Sequence, residues 1–331
     1  MLWSESWQKD WDELVSIKGN LADNILKALK VSTKQEIVKA PTSSTEAYEY
    51  YLRAKYIHDK REDMKDTEIA RGLLKKAIEL DDNLLIAKNV LANTYSYTGD
   101  YDKAMEIYLE NLKKAEEIGD KHWMGGSLNN IGIVYSDKGD YDRALDYYKM
   151  SLKIAEELGD KLGVGGSLNN IGFEYRNIGD LDTALDYYGR SMAICEEIGD
   201  KLGMGRSLNI GIVYYAKGDY KKALDYIEKS QAIQKEIGMK AIELETTTYL
   251  HLTYKHLGND YDEKEIHGLI KDAENIEFDL NYAIYQLLED TSYLETAYNQ
   301  IQEEANTMED GAKFLSYPIP KAIVEEWEKI K

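Results

Sequence analysis

The side chains that could carry catalytic chemistry are few and poorly spaced in this sequence. The five histidines are scattered, and His251 and His256 would diverge by roughly 140° on a helix, which does not suit one metal ion. The single cysteine, Cys195, stands where the aligned residues of neighbouring segments are alanines, which predicts a small core residue. The sequence has no phosphate-binding loop, nucleophile elbow or HExxH motif. We therefore expect no catalytic residues, no metal and no other cofactor.

Asparagine is the polar residue that recurs at a regular spacing. Asn129 and Asn130 reappear as Asn169 and Asn170, and Asn209 continues the row. An amide side chain offers both donors and an acceptor, so a row of amides can hold the backbone of an extended peptide. The alternative is that one asparagine of each pair bonds the backbone of the neighbouring segment. The pattern favours peptide binding for Asn129 and Asn169 and leaves both possibilities open for the other three.

These asparagines belong to a repeat with a period of 40 residues. Residues 119–159 and 159–199 match at most positions, residues 199–238 form a third copy that is one residue shorter, and residues 84–119 form a divergent copy. Apolar residues recur at three- and four-residue steps, and Gly139-Asp140 separates two such runs within one copy. Each copy is therefore predicted to be a hairpin of two helices.

The repeated residues resemble the tetratricopeptide repeat family, in the long subclass found in kinesin light chain and spindle-orientation scaffolds. The resemblance covers roughly residues 47–275, and the matching positions are Gly132, Tyr135, Gly139-Asp140-Tyr141, Ala144 and Tyr148. It implies an all-α fold, a right-handed superhelical solenoid of antiparallel helix hairpins. It also implies that a protein or peptide segment binds in the concave groove, where asparagines of the first helices hold it.

The predicted groove continues past the asparagines into apolar and basic residues. Gly126 and Gly166 leave space along it, and Arg206 interrupts the row of small residues. If a partner has an acidic element, that element is expected to dock near Arg206 and Arg176. The predicted groove residues are Asn129, Asn130, Ile133, Asn169, Asn170, Phe173, Arg176, Arg206, Asn209 and Tyr215.

Two details of the repeat predict local geometry. Glycine in mid-helix costs about 1 kcal/mol against alanine, so Gly132 indicates a close helix contact, with Ala144 expected opposite. Deleting one residue within a helix rotates what precedes it by about 100°. We expect the residue missing from the third copy to be lost around Lys201–Arg206, which would keep Asn209 aligned with Asn170.

The N-terminal segment, residues 1–40, is not a repeat and is predicted to be a strand and helix remnant or a cap. Trp3, Trp7 and Trp11 stand four residues apart, on one face of a helix. Residues 2–60 resemble the junction between a small domain and the repeats in bacterial tetratricopeptide-containing adenylate cyclases. One hypothesis is therefore a regulatory segment of a larger signalling protein whose N-terminal domain is absent. Another is self-association through the three tryptophans.

Composition excludes several classes of partner. The 331 residues include 61 acidic and 41 basic side chains, a net charge of −20 that argues against nucleic acid and anionic membrane surfaces. Apolar runs fall far short of the ~20 residues of a membrane span, and the N-terminus does not read as a signal peptide, so a cytoplasmic location is expected.

The predicted organisation is a solenoid of five to six hairpins over residues 41–275, followed by a degenerate hairpin and a helical cap over residues 276–331. Residues 241–331 carry 20 acidic and 7 basic side chains. Such an end is most often a solvated cap, and the alternative is a surface for a basic partner. The sequence favours a protein- or peptide-binding scaffold or adaptor over an independent enzyme.

Overall fold

The computed structural model describes residues 44–61, 63–273 and 275–331. The chain divides into two compact units, Met1–Ser43 and Ser44–Lys331, and the second contains all the described residues. The predicted segment 1–40, with Trp3, Trp7 and Trp11, lies outside them.

The second unit is built from helices joined by short turns. In chain order they are α1 (Thr45–Lys60), α2 (Met64–Leu80), α3 (Leu85–Tyr97), α4 (Tyr101–Ile118), α5 (Lys121–Asp137), α6 (Tyr141–Leu158), α7 (Lys161–Ile178), α8 (Leu181–Ile198), α9 (Lys201–Gly205), α10 (Ser207–Ala216), α11 (Tyr220–Ile237), α12 (Glu243–Leu257), α13 (Glu263–Asp272), α14 (Phe278–Leu288), α15 (Thr291–Thr307), α16 (Gly311–Ser316) and α17 (Pro318–Ile330).

Consecutive helices pair into antiparallel hairpins, and this confirms the predicted fold class, an all-α right-handed solenoid. The copies of the 40-residue repeat are α3–α4, α5–α6, α7–α8 and α9–α10 with α11. The first helices of successive copies also contact one another, as α3 does α5, α5 does α7, and α10 does α12. These first helices therefore share one face of the solenoid.

Glycine-aspartate dipeptides mark the ends of the hairpins. Gly159 ends α6 at φ 65°, a left-handed conformation that glycine adopts without steric cost. The side chain of Asp160 then accepts a hydrogen bond from the backbone N–H of Gly163, at 3.0 Å, and caps α7. Because the same dipeptide recurs in each copy, the repeat boundaries follow from local chemistry.

The residue missing from the third copy is lost where the sequence predicted. The long first helix is interrupted at Arg206, which separates α9 from α10 with φ −74° and ψ 5°. Before the break, the carbonyl of Gly205 accepts from Ser230 Oγ just as that of Gly165 accepts from Ser191 Oγ. The register changes only after Arg206, so α10 keeps its groove face.

The close contact at Gly132 involves a different neighbour from the one expected. A Cβ added to Gly132 would lie 2.6 Å from Cε1 of Tyr148, and one added to Gly172 would lie 2.8 Å from Cδ1 of Tyr188. Tyr148 is thus the nearest neighbour of Gly132, whereas at the equivalent Gly211 the expected alanine is in contact, because an added Cβ would lie 3.3 Å from the backbone oxygen of Ala223. The tyrosine one helical turn further along α6 reaches across the interface with its ring, while Ala144 is itself fully buried.

The last helices return to repeats that are distant in sequence. Tyr317 packs on Tyr141 with ring centroids 4.6 Å apart, and Lys313 Nζ lies 2.6 Å from Asp142 at the start of α6. Leu294, Ile301 and Phe314 belong to the same buried cluster as Tyr141. The predicted C-terminal cap, residues 276–331, thus packs beside the turns of α5–α6 and α7–α8.

Candidate functional site

Asparagines of successive first helices are joined side chain to side chain. We call these six residues the asparagine ladder and each bonded pair a rung: Nδ2 of Asn130 donates to Oδ1 of Asn89 at 2.7 Å, Nδ2 of Asn170 to Oδ1 of Asn129 at 3.0 Å, and Nδ2 of Asn209 to Oδ1 of Asn169 at 3.2 Å. The amides therefore bond a neighbouring side chain, and the alternative left open by the sequence, a bond to the neighbouring backbone, is not seen for these six residues.

Each rung keeps hydrogen-bonding capacity to spare. In the rung of Asn170 and Asn129, Nδ2 of Asn129 and Oδ1 of Asn170 make no other hydrogen bond within the described part of the chain. The side chains along the ladder are half-buried, so these atoms are reachable from the groove. A rung thus presents one donor and one acceptor, the complement of a peptide C=O and N–H.

A cavity of about 280 Å³ lies beside the ladder, between α5, α6 and α7. Its lining includes Asn89, Asn129 and Asn130 of the ladder, together with Gly126 and Gly166. A Cβ added to either glycine would meet no atom within 4 Å, so the two glycines widen the groove without serving the helix packing. The cavity therefore adjoins the amide side chains that have hydrogen-bonding capacity to spare.

Asn89 is a ladder residue that the sequence analysis missed. It belongs to the divergent copy, in which the second asparagine of the pair is replaced by Val90. Aligning Ala92 with Gly132 places Asn89 level with Asn129, and this alignment is the signal that could have found it.

The other predicted groove residues divide into two groups. Ile133 and Phe173 continue the ladder face: Ile133 is 37% exposed and Phe173 is half-buried. Tyr215 is bonded to its own chain, since its hydroxyl forms a hydrogen bond with Nε2 of His256 at 3.0 Å. Arg206 is exposed at the break between α9 and α10.

Arg176 is not free to receive an acidic element of a partner, so of the two arginines named from the sequence only Arg206 is exposed. The side chain of Arg176 is 6% exposed, and Nη2 lies 3.4 Å from Oδ2 of Asp279 in α14. Its guanidinium also lies 4.8 Å from the ring centroid of Phe173. The cation is engaged by a carboxylate of the chain itself, more than 100 residues away, and a contact of that range leaves no local trace in the sequence.

Several carboxyl groups around Arg176 have raised pKa values. Burial, the main cause, raises the pKa of Glu174 and of Glu245 to about 7, against the pull of Arg176. Burial and then the nearby carboxylate of Glu277 raise the pKa of Glu304 to about 7. Groups with such values are candidates for function on physical grounds.

Within the described ranges, no three histidine, cysteine, aspartate or glutamate residues are arranged to hold a metal ion. No helix in this part of the chain is long and apolar enough to cross a lipid bilayer.

Hairpins of this length, stacked with their first helices along a shared polar groove, define a helical-repeat solenoid protein. Residues 83–157 and 163–236 match the family model described as tetratricopeptide repeat. These two stretches are tetratricopeptide repeats, as their repeated residues indicated.

Solved structures share the fold at low sequence identity. A Rap protein complexed with competence and sporulation factor is 18% identical, with 89% of this chain and 80% of that chain covered and a TM-score of 0.58. Aspartyl phosphate phosphatase F from Bacillus subtilis is 17% identical, with 82% and 68% covered and a TM-score of 0.58. BtubC (BKLC) from P. vanneervenii is 20% identical, with 69% and 90% covered and a TM-score of 0.50. At these identities the likeness shows the fold alone. No curated protein matches the sequence.

Proposed function

We propose that this chain is a scaffold or adaptor that binds an extended segment of another protein in the groove of its first helices, without catalysis of its own. The observation that carries the proposal is the asparagine ladder, whose rungs each offer a spare donor and a spare acceptor beside an open cavity. Such a surface binds a peptide through its backbone, with side-chain pockets adding selectivity.

The spacing of the rungs suits an extended chain. Packed helices lie about 8–10 Å apart, and an extended chain advances about 3.3 Å per residue. A segment that crosses the first helices would therefore meet a rung at about every third residue. The apolar side chain of Ile133 is partly exposed beside the ladder. It offers contact area to the peptide residues that lie between two rungs.

The solved Rap protein lends support, because that protein, which shares the fold, is complexed with competence and sporulation factor. The likeness to aspartyl phosphate phosphatase F makes an enzymatic role the competing proposal. The ladder favours binding, because amide side chains are neither nucleophiles nor acid–base groups at neutral pH.

The other hypotheses depend on residues 1–43 and stay predictions. A regulatory segment of a larger signalling protein would be supported by a fused domain upstream of Met1. Self-association through Trp3, Trp7 and Trp11 would be supported by light scattering that changes when residues 1–12 are removed. A cytoplasmic location also stays a prediction.

The groove is tested by selecting peptides from a displayed library of random twelve-residue sequences on the full chain. We expect the wild type to enrich a family of related peptides. Replacing Asn129 and Asn169 by alanine removes two of the three spare Nδ2 donors and should weaken binding of the selected peptide about tenfold or more, measured by calorimetry. Asn299→Ala, at an exposed position on α15, is the matched control and should bind as the wild type does.

A second variant fills the groove without touching the amides. Leucine at Gly126 and Gly166 projects into open space and is a good helix former, so the fold should be kept or slightly stabilised while peptide binding is lost. Equal peptide binding by the alanine, leucine and control variants would contradict the proposed function.

A further inference from the structure

An arginine without a carboxylate partner stands beside the last rung of the ladder. The side chain of Arg206 is exposed and makes no ion pair or hydrogen bond within the described part of the chain. Its backbone carbonyl accepts a hydrogen bond from the N–H of Asn209 at 3.0 Å, so the two residues are one turn apart. Nδ2 of Asn209 in turn donates to Oδ1 of Asn169 at 3.2 Å. Residues three apart on a helix share a face, so this cation lies next to the rung.

The repeat places the side chain of Arg206 on the groove side. Arg206 aligns with Gly126 and Gly166, which both line the cavity beside the ladder. The register of the repeat holds up to Gly205, the residue before it. A Cβ added to Gly126 or Gly166 would meet no atom within 4 Å. The third copy therefore carries a cationic side chain where the two copies before it leave open space.

The other cations of the first helices are already paired. Across α3, α5, α7, α9 and α10, all of which the structure describes, each remaining lysine or arginine has a carboxylate partner: Lys88 with Asp82 and Glu110, Lys121 with Glu157, Lys161 with Glu197, Arg176 with Asp279, and Lys201 with Glu236. Arg206, between α9 and α10, is the exception. The groove thus offers one cation whose charge is not compensated by the chain.

The charge around Arg206 also differs from that of the whole chain. Residues 201–240 carry 8 basic and 4 acidic side chains, in a chain whose net charge is −20. An acidic residue of a partner is therefore repelled by most of the surface and attracted at this end of the ladder. Charge arranged in this way steers a partner and fixes the register in which it binds.

We propose that the groove selects a segment carrying an aspartate or glutamate, whose carboxylate pairs with Arg206 at the rung of Asn209 and Asn169. This inference rests on the proposed function and names the chemistry of the partner for the same groove. A guanidinium presents paired N–H donors that match a carboxylate. Nδ2 of Asn169 is the spare donor of this rung. Because the rung is the last of the three, the acidic residue belongs near one end of the bound segment.

The experiment repeats the peptide selection with the full chain and with two variants, Arg206→Gln and Arg206→Glu. We expect the wild type to enrich peptides with an acidic residue at one position near an end. Arg206→Gln should recover peptides without that preference, and Arg206→Glu should recover lysine or arginine at the same position. Replacing the selected acidic residue by its amide should weaken wild-type binding about fivefold, as expected of a partly exposed ion pair, and change binding to Arg206→Gln less than about 1.5-fold.

The matched control is Lys221→Gln, which removes the same charge from an exposed lysine on α11. This variant should keep the acidic preference, and thermal unfolding checks that all the variants are folded. If the wild type enriches no acidic residue, if Arg206→Gln keeps the acidic preference, or if Lys221→Gln loses it equally, the inference is wrong while the ladder can still stand. If no peptide depends on Asn129 and Asn169, both proposals fail.

Discussion

Glu174 shows how much one residue can change a repeat. The aligned positions of the neighbouring copies hold Val134 and Val213, both fully buried, so the solenoid accepts an apolar side chain there. The carboxyl of Glu174 is equally buried, its Oε1 lacks a hydrogen-bond partner among the described residues, and its Oε2 accepts a long hydrogen bond, 3.4 Å, from Asn177. Burying a poorly satisfied carboxylate costs stability, which points to a role other than packing.

We predict that Glu174→Gln stabilises the protein in a pH-dependent way. The folded state raises the pKa of Glu174 from its ordinary 4.5 to about 7, mainly through burial, so the native state holds the proton more tightly than the unfolded chain. Stability contributed by this group is therefore lost as the pH rises towards 7. At pH 8 the variant should be more stable by about 1–3 kcal/mol, and the gain should shrink at pH 5.5.

Urea unfolding of wild type and variant at the two pH values measures this gain. Glu156→Gln, at an exposed position on α6, is the control and should leave the free energy of unfolding nearly unchanged at both. A gain that does not depend on pH would show that the carboxyl of Glu174 is not protonated in the folded state.

At the scale of helices, the glycines of the first helices serve two different purposes. Gly132 and Gly172 let a tyrosine ring of the second helix approach the backbone, so they belong to the hairpin interface. Gly126 and Gly166 face open space beside the ladder. All four look alike in the repeated sequence, and only the neighbours across the interface distinguish them.

We predict opposite effects of alanine at these two kinds of position. Gly132→Ala should destabilise the protein by about 1–3 kcal/mol, because the new methyl group would overlap the ring of Tyr148. Gly126→Ala should stabilise it by up to about 1 kcal/mol, since alanine is the better helix former and meets nothing. Thermal and urea unfolding compare the two variants, and equal effects of the same sign would refute the distinction.

At the scale of the second unit, the last helices link repeats that otherwise meet only their neighbours. In a simple solenoid each hairpin contacts the hairpins before and after it, and stability is a sum of local terms. Here Phe314 and Met308 pack against the turn at Gly139, and Pro318 against the turn at Gly179. The repeats over α5–α8 are therefore coupled to α15–α17 through long-range contacts.

We predict that Phe314→Ala loosens both ends of this contact. The side chain is 2% exposed, and its loss should cost about 3–5 kcal/mol. Amide hydrogen exchange should become faster over residues 308–325 and also at the α5–α6 turn, more than 160 residues earlier. Ile69→Ala, at an exposed position on α2, should leave both regions unchanged. Faster exchange confined to the C-terminal helices would contradict the coupling.

Local pattern was enough to predict the hairpins, the fold and five of the six asparagines of the ladder, but not the bonds between them. Helix periodicity, the glycine-aspartate turns and the asparagine pairs act within one copy, and repetition places them at equivalent positions in every copy. The position of the missing residue, near Arg206, was predictable for the same reason. If Asn209 keeps its place in the groove, the deletion has to be absorbed earlier in the same helix.

The tertiary structure alone decided which groups the groove leaves available. Arg176 meets Asp279 across 103 residues, and the last helices fold back over the turns of earlier hairpins. Such contacts depend on the curvature and stacking of all the hairpins between them, which no local pattern encodes. For that reason the sequence alone left Arg176 as a candidate for contact with a partner, whereas the folded chain pairs it with Asp279.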